Sequence, residues 1–344
     1  SLGALEWPWC RTCIISQKSF EEGNFTDAPV ATGPYKVTDF VSGSHCILEA
    51  NDDYWQKEEL RDAEHLANVQ TIEYDIIAET SQHVIALSTG QIQYSEYIPA
   101  ENLADFSDGG QYADGNDVYV SQGSGLYMLM CNNYGGKITE DVNLRKAIYW
   151  ALDNEAIEKA TGNTVAAKAL GTRFFSDYQS SWEENPENYM ASCNLDKAKE
   201  YLEKSDYNGE TLVLLAPSDE TIKTIMTMMQ ALLMQVGINV EIVAEEAALA
   251  QTDMLDPAKW DLLISQIGGG SQVGEWNRPM NNKEFGTEYN MAFIADDTLQ
   301  EKLLNVMSLA GHTDENTTDM VDYILENGYY YALCSPATNA VYSE

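Results

Sequence analysis

Between residues 211 and 243 the pattern of apolar and polar positions changes period twice. Thr211 to Ala216 is a short apolar run that suits a buried strand. Ile222, Ile225, Met226, Met229, Leu232, Leu233 and Val236 then recur at intervals of three and four, which stacks them on one face of a helix. Ile238, Val240 and Ile242 alternate as the next strand. Ser218 stands where a helix N-cap belongs, and Gly237 where the left-handed residue after a helix belongs. Strand, helix and strand in this order predict a right-handed crossover unit with parallel strands. Trp260 to Ile267 predicts a further strand. Met226, Met228, Met229 and Met234 on the helix read as core packing and not as a soft-metal surface.

Elsewhere the pattern is mixed α and β. Tyr35 to Val41 and His45 to Ala50 suit two strands, and Ser42-Gly43-Ser44 between them predicts a hairpin. Ile72, Tyr74 and Ile76 alternate as a third strand. A short helix with Val84, Ile85 and Leu87 follows Thr80-Ser81 and ends at Gly90. Leu144, Ala147, Ile148, Ala151 and Leu152 mark one face of a helix over Asp141 to Leu152, with a second helix beginning at Asp153. Asn194 is placed to cap a helix through Lys204 that turns Leu195, Ala198 and Leu202 inward. Arg145 reads as a structural residue that pairs near its helix start.

Composition narrows the class. At 344 residues the chain exceeds one ordinary core and is expected to form about two domains, and 44% hydrophobic residues are enough to fill them. The 19 basic and 55 acidic residues give a formal net charge of −36, which repels polyphosphates and anionic membranes, so nucleic acid is not expected as a partner. Six cysteines are too sparse for a disulfide-dense scaffold. Cys10 and Cys13 form a CxxC after Trp-Pro-Trp, but no second CxxC or histidine pair completes a zinc site. No apolar run reaches the roughly 18 residues of a membrane span.

Few chemistries fit what remains. The four histidines, His45, His65, His83 and His312, are not spaced as a helical metal pair, and neither a GxSxG elbow nor a Walker loop occurs. No metal, cofactor or catalytic residue is therefore expected. Acidic pairs are abundant, which leaves a glycoside hydrolase with paired carboxylates as a remote alternative. Gly268-Gly269-Gly270-Ser271 follows the Trp260–Ile267 run directly, where open α/β sheets place ligands and where glycines let a ligand approach the backbone. Trp276 offers a stacking plane and Arg278 an anion partner.

Five segments, in order, resemble one family. They are Ala31-Thr32-Gly33-Pro34-Tyr35-Lys36 with Asn51-Asp52-Asp53-Tyr54-Trp55; Ala86-Leu87-Ser88-Thr89-Gly90; Asn143-Leu144-Arg145 through Asp153-Asn154-Glu155; Asp196-Lys197-Ala198-Lys199 through Gly209; and Gln230-Ala231-Leu232 with Val236-Gly237-Ile238. Together they are similar to the signatures of bacterial extracellular solute-binding proteins of family 5, the peptide and nickel binders of ABC transporters. The resemblance implies an α/β, periplasmic-binding-protein-like type II fold with two α/β lobes, mixed sheets and lobe I incomplete. Residues 1–125 are expected to form the partial lobe I, 126–334 lobe II, and 335–344 the return toward lobe I. Because the family's first signature normally lies deep inside the chain, these residues are expected to be an N-terminally truncated segment.

The function so implied is capture of a small solute, an oligopeptide by family, for delivery to an ABC permease, with no bond made or broken and the protein monomeric. An extracellular, cell-surface lipoprotein or periplasmic location goes with it. A sensory binding module uses the same fold and stays open as an alternative. The expected ligand contacts are Gly269, Gly270, Ser271, Gln272 and Trp276 after the strand, Arg173 and Phe174 in a cleft-facing segment, and Ser124 and Tyr127 where the chain crosses between lobes. One departure bears on the ligand: peptide binders of the family commonly carry G-W-x-x-D after this strand, with the Asp on the peptide amine, and here neither residue is in place. Glu275 is a substitute from a shifted loop; a sugar, an opine-like compound or a metal chelate are other solutes in view.

Overall fold

The computed structural model describes residues 15–23, 29–30, 32–60, 68–96, 98–123, 125–167, 193–268, 277–286 and 290–343. Its first sheet is antiparallel, β1 (Tyr35–Val41), β2 (His45–Ala50) and β3 (Thr71–Asp75), joined in that order. The predicted hairpin is present, with Ser44 N–H donating to Val41 O. Ile76 falls just beyond β3, although its N–H still donates to Ser44 O. Every residue of these strands whose side chain is described is half-buried or exposed.

Next come α1 (Thr80–Ser88) and β4 (Tyr94–Ser95). Leu87 of α1 packs with Ile98, Phe106 and Val341 into a small core. Ile85, on the same helix, points outward.

The second sheet holds eight strands. After β5 (Asn116–Gln122) the chain runs through β6 (Gly125–Cys131), α2 (Val142–Ala151), α3 (Asn154–Thr161) and β7 (Thr164–Ala166). It then forms α4 (Leu195–Lys204), β8 (Thr211–Pro217), α5 (Glu220–Gln235), β9 (Asn239–Glu245), α6 (Ala247–Asp253) and β10 (Leu262–Gly268). Helices α7 (Asp297–Val306) and α8 (Asp314–Glu326) lead to β11 (Tyr330–Ser343). The strand order is β4-β11-β6-β10-β8-β9, with β5 and β7 also paired to β11.

The crossover unit forms as its periodicity demands. β8 and β9 are parallel from Thr211↔Asn239 to Pro217↔Glu245, β10 is parallel to β8, and β6 closes the other side antiparallel. All seven residues of the α5 stripe are buried, and Gly237 takes a left-handed φ of +91° that a side chain would resist. Met226 and Met229 are core residues and Met228 packs against them, but Met234 is exposed. The cap also differs from expectation by one position: Asp219, not Ser218, accepts from Thr221 and Ile222 N–H. Ser218 N–H donates to Glu245 O and so extends the β8–β9 ladder by one residue, which delays the helix start.

A core of residues from Leu126 to Cys334 fills the space under this sheet. Arg145 is buried in it and serves as a tie. Its Nη1 donates to Thr139 O and Glu140 O, while Nε and Nη2 both donate to Asn327 O at the end of α8. Three carbonyls and the negative end of a helix dipole thus hold the cation. Lys137 and Asp261 form a shielded ion pair, and Asp261 also accepts from Val213 N–H, fixing β10 against β8.

Replacing Asp219 with Ala should lower stability by about 1 kcal/mol, whereas Ser218→Ala should stay within about 0.5 kcal/mol. Urea denaturation midpoints of the two variants distinguish the caps; a larger loss for Ser218→Ala would contradict the assignment.

Candidate functional site

Parallel strands end on a common edge, and here β8, β9 and β10 end at Pro217, Glu245 and Gly268. Gly268 pairs with Gly125, the first residue of β6, immediately after the chain has left β5. On the neighbouring strand Pro336 O accepts from Gly123 N–H at 2.8 Å. The carboxyl edge of the parallel strands therefore meets the two places where the backbone passes from the larger core to the smaller one.

That meeting is tight. A Cβ on Gly123 would lie 2.7 Å from Pro336 O, and one on Gly125 would lie 2.6 Å from Gln266 Nε2. Asn163 braces the same region: its O accepts from Ala337 N–H, and its Nδ2 donates to Thr221 Oγ1 at the start of α5. Two shielded acceptors, Asn163 Oδ1 and Glu245 Oε2, have no donor among the described residues. Buried polar atoms normally find a partner, so each is a place where a donor from outside the described residues would be stabilised.

Tyr127 stands at this edge, opposite Gln266 and Cys334. Burial raises its pKa, and the Asp219 carboxylate and Cys334 add to the rise, so the phenol stays a neutral O–H donor. Ser124, Arg173, Phe174, Gly269, Gly270, Ser271, Gln272 and Trp276 lie outside the described residues, and so does Glu275. Sequence reasoning missed Asp219, Thr221, Asn163 and Glu245. The first two follow β8 directly, so the strand-end rule applied to Gly268–Ser271 would have found them as well. Asn163 carries no local signal, because the fold alone brings it to α5.

Several titratable groups of the described part are shifted by their surroundings. Burial pushes the Cys131 thiol to about 11 and Cys334 to about 12, values of inert structural thiols. Glu200, Glu210, Glu220 and Asp296 shift downward, away from the range a general acid needs. Among the described residues no group of three or more His, Cys, Asp or Glu is placed to hold a metal ion.

A sequence model of the family named Bacterial extracellular solute-binding proteins, family 5 Middle, matches residues 8–287. The chain belongs to this family. Among curated relatives, oligopeptide-binding protein OppA of Bacillus subtilis is 23% identical over 287 residues, 78% of this chain and 47% of that protein. Two solved structures share the fold. ABC transporter substrate-binding protein CtaP of Listeria monocytogenes superposes with a TM-score of 0.78 at 15% identity, covering 96% of this chain and 66% of that one. NikA of Brucella suis, solved with Fe(III)-EDTA, gives 0.72 at 19% identity, covering 92% and 64%. The family 5 chain thus has the periplasmic-binding-protein fold, α/β with a mixed sheet, and spans about half the length of the curated relatives it matches.

The glycine contacts generate a paired expectation. Gly123→Ala should cost about 1–3 kcal/mol because a backbone carbonyl cannot retreat, whereas Gly125→Ala should cost less because the end of Gln266 can swing aside. Equal losses in denaturant midpoint would show that the Pro336 approach is no tighter in effect than the Gln266 one.

Proposed function

We propose that this family 5 chain is part of an extracytoplasmic receptor that captures a small solute, an oligopeptide, and hands it to the permease of an ABC importer without transforming it. The observation that carries the reading is the convergence of three parallel strand ends, two crossing segments and the α5 N-terminus at one edge. Binding sites of open α/β sheets occupy that position.

The division into lobes belongs to the same proposal. Residues 1–125 form the partial first lobe, 126–334 the second, and 335–344 return to the first; the separate cores around Phe106 and around Leu129 support it. The peptide as ligand class is supported by the relatives: oligopeptide-binding protein OppA and dipeptide-binding protein DppE, both of Bacillus subtilis, are named for peptides. Gly269, Gly270, Ser271, Gln272, Trp276, Arg173, Phe174 and Ser124 complete the proposed contact set with Tyr127. The receptor works as a monomer outside the cytoplasm, anchored as a lipoprotein or free in a periplasm. No described helix is long and apolar enough to cross a membrane.

The intact protein should gain thermal stability with added di- to pentapeptides, by about 2.7 kcal/mol when the free peptide reaches 100 times its Kd. Peptide recovered unchanged by mass spectrometry completes the expected result. Sugars and nickel or iron chelates form the comparison arms; stabilisation by one of those alone would overturn the peptide assignment, and hydrolysis of the ligand would overturn the reading itself. Tyr127→Phe should weaken peptide binding about two- to tenfold while leaving the unliganded Tm nearly unchanged.

A further inference from the structure

The edge of the larger sheet opposite the parallel strand ends gathers a different set of loops. β6 runs antiparallel to β10 from Gly125↔Gly268 to Cys131↔Leu262, so Asn132 and Asn133 emerge where the parallel strands begin. Tyr330 pairs with Met130, which places Tyr329 at that edge too. The seven residues of β6, roughly 20 Å of strand, separate it from the carboxyl edge. An open cavity of about 380 Å³ lies there, and its lining includes Asn133, Glu140, Arg145, Phe285, Phe293 and Tyr329.

The polar part of this lining has bonding capacity to spare. Arg145 is 4% exposed and has no carboxylate partner among the described residues. Nε, both hydrogens of Nη1 and one of Nη2 go to backbone carbonyls, which leaves one Nη2 hydrogen and an unneutralised formal charge. A buried cation in that condition is stabilised by an anion that reaches it. Asn133 uses both amide hydrogens, on Cys131 O and Ala292 O, so its Oδ1 is an acceptor with no donor among the described residues. One carboxylate oxygen of Glu140 accepts from Gly136 N–H, and the other has no described donor. The apolar part is aromatic. Phe285 is 40% exposed and meets the Phe293 ring edge-on at 5.7 Å. Phe293 has a φ of +56°, the one left-handed non-glycine residue among those described. Buried Asn290 imposes that conformation: its O accepts from Phe293 N–H and its Oδ1 from Ile294 N–H. A bulky side chain resists a left-handed backbone, so the turn and not the residue's own preference sets this ring against the cavity.

We propose that this cavity is a second ligand site, which takes a free amino acid with an apolar side chain. The ligand carboxylate meets Arg145 Nη2, its ammonium donates to Glu140 and to Asn133 Oδ1, and its side chain lies on Phe285 and Phe293. Both charges are needed: a simple anion would be repelled by Glu140 and a simple amine by Arg145, whereas a zwitterion complements the two. Small-molecule pockets range over about 300–1,000 Å³, and a cavity at the lower end of that range suits an amino acid and not an oligopeptide. The site is separate from the strand-end edge, so the two can be filled at once.

The test is isothermal titration calorimetry on the protein at its full encoded length, with L-phenylalanine and L-leucine, each with and without a saturating mixture of di- to pentapeptides. Both amino acids are expected to bind, and the peptides to leave that binding unchanged. Phenethylamine and 3-phenylpropionate, which each lack one of the two charges, should bind at least about tenfold more weakly. Glu140→Gln and Phe285→Ala should each weaken L-phenylalanine binding about tenfold. Both side chains are exposed, and an unchanged thermal midpoint of each variant shows that its fold is intact. No binding up to about 10 mM amino acid, equal binding of a singly charged analogue, displacement by the peptides, or affinity that neither substitution lowers would each overturn the proposal. Peptide binding is measured in the same preparations, so its absence beside retained amino-acid binding would count against the strand-end reading alone.

Discussion

Every N–H and C=O of a strand needs a partner, and β11 finds its partners in two places. Across its 14 residues, Tyr330 to Pro336 pair with β6 and β7, while Ala337 to Ser343 pair with β5 and β4. The same strand therefore contributes Tyr330 to Cys334 to the larger core and Val341 to the smaller one. Sliding either part along β11 would shift both ladders and turn buried side chains outward. What the ladders leave free is bending at the change of partner. Pro336, which has no N–H to give, sits at that change, and Ala337 N–H turns aside to Asn163 O.

The neighbouring crossing, β5 to β6, obeys the same geometry from the opposite direction. Gly123 and Gly125 flank it, each at a point where a side chain would collide with a neighbour. At Gly123 two backbones run too close for a side chain between them, whereas at Gly125 the close neighbour is the end of the Gln266 side chain. The parallel strands end at that level, so any motion of the joint changes the distance between their ends and the smaller core. A solute held there would act on both parts at once, which is the physical requirement for ligand-linked closure.

Much of this was legible in the residues because burial imposes a period. The α5 stripe and the strands on either side of it follow from spacing alone, and all seven stripe positions are buried. So do the hairpin and the inward face of α2, where Leu144, Ala147, Ile148, Ala151 and Leu152 are fully enclosed. Local competition limited the reading elsewhere. Ser218 is as good a cap as Asp219, and only the ladder contact to Glu245, made across a strand pair, decides between them. Met234 has the hydrophobicity of its neighbours but falls off their stripe. The site is less legible still: Tyr127 lies at the strand-end edge, yet Asn163 and Glu245 come to that region through pairings that join residues far apart in sequence. The close approaches of Gly123 to Pro336 O and of Gly125 to the Gln266 side chain leave no pattern in composition.

The two cores also differ in how they are secured. The larger is cross-tied by directional bonds such as those from Arg145 to Asn327 O, Thr139 O and Glu140 O, so its helices cannot separate without stranding a buried cation. The smaller has four fully buried hydrophobic residues among those described, Leu87, Ile98, Phe106 and Val341, and is tied by neutral bonds, Asn339 Nδ2 donating to Ile98 O and Ile98 N–H donating to Asn339 O. One of those four is donated by β11, a strand anchored in the other core. Burying so few side chains offsets little of the entropy lost by ordering the chain around them. The smaller part therefore depends on the larger for its order, through the ladder that β11 carries across the joint.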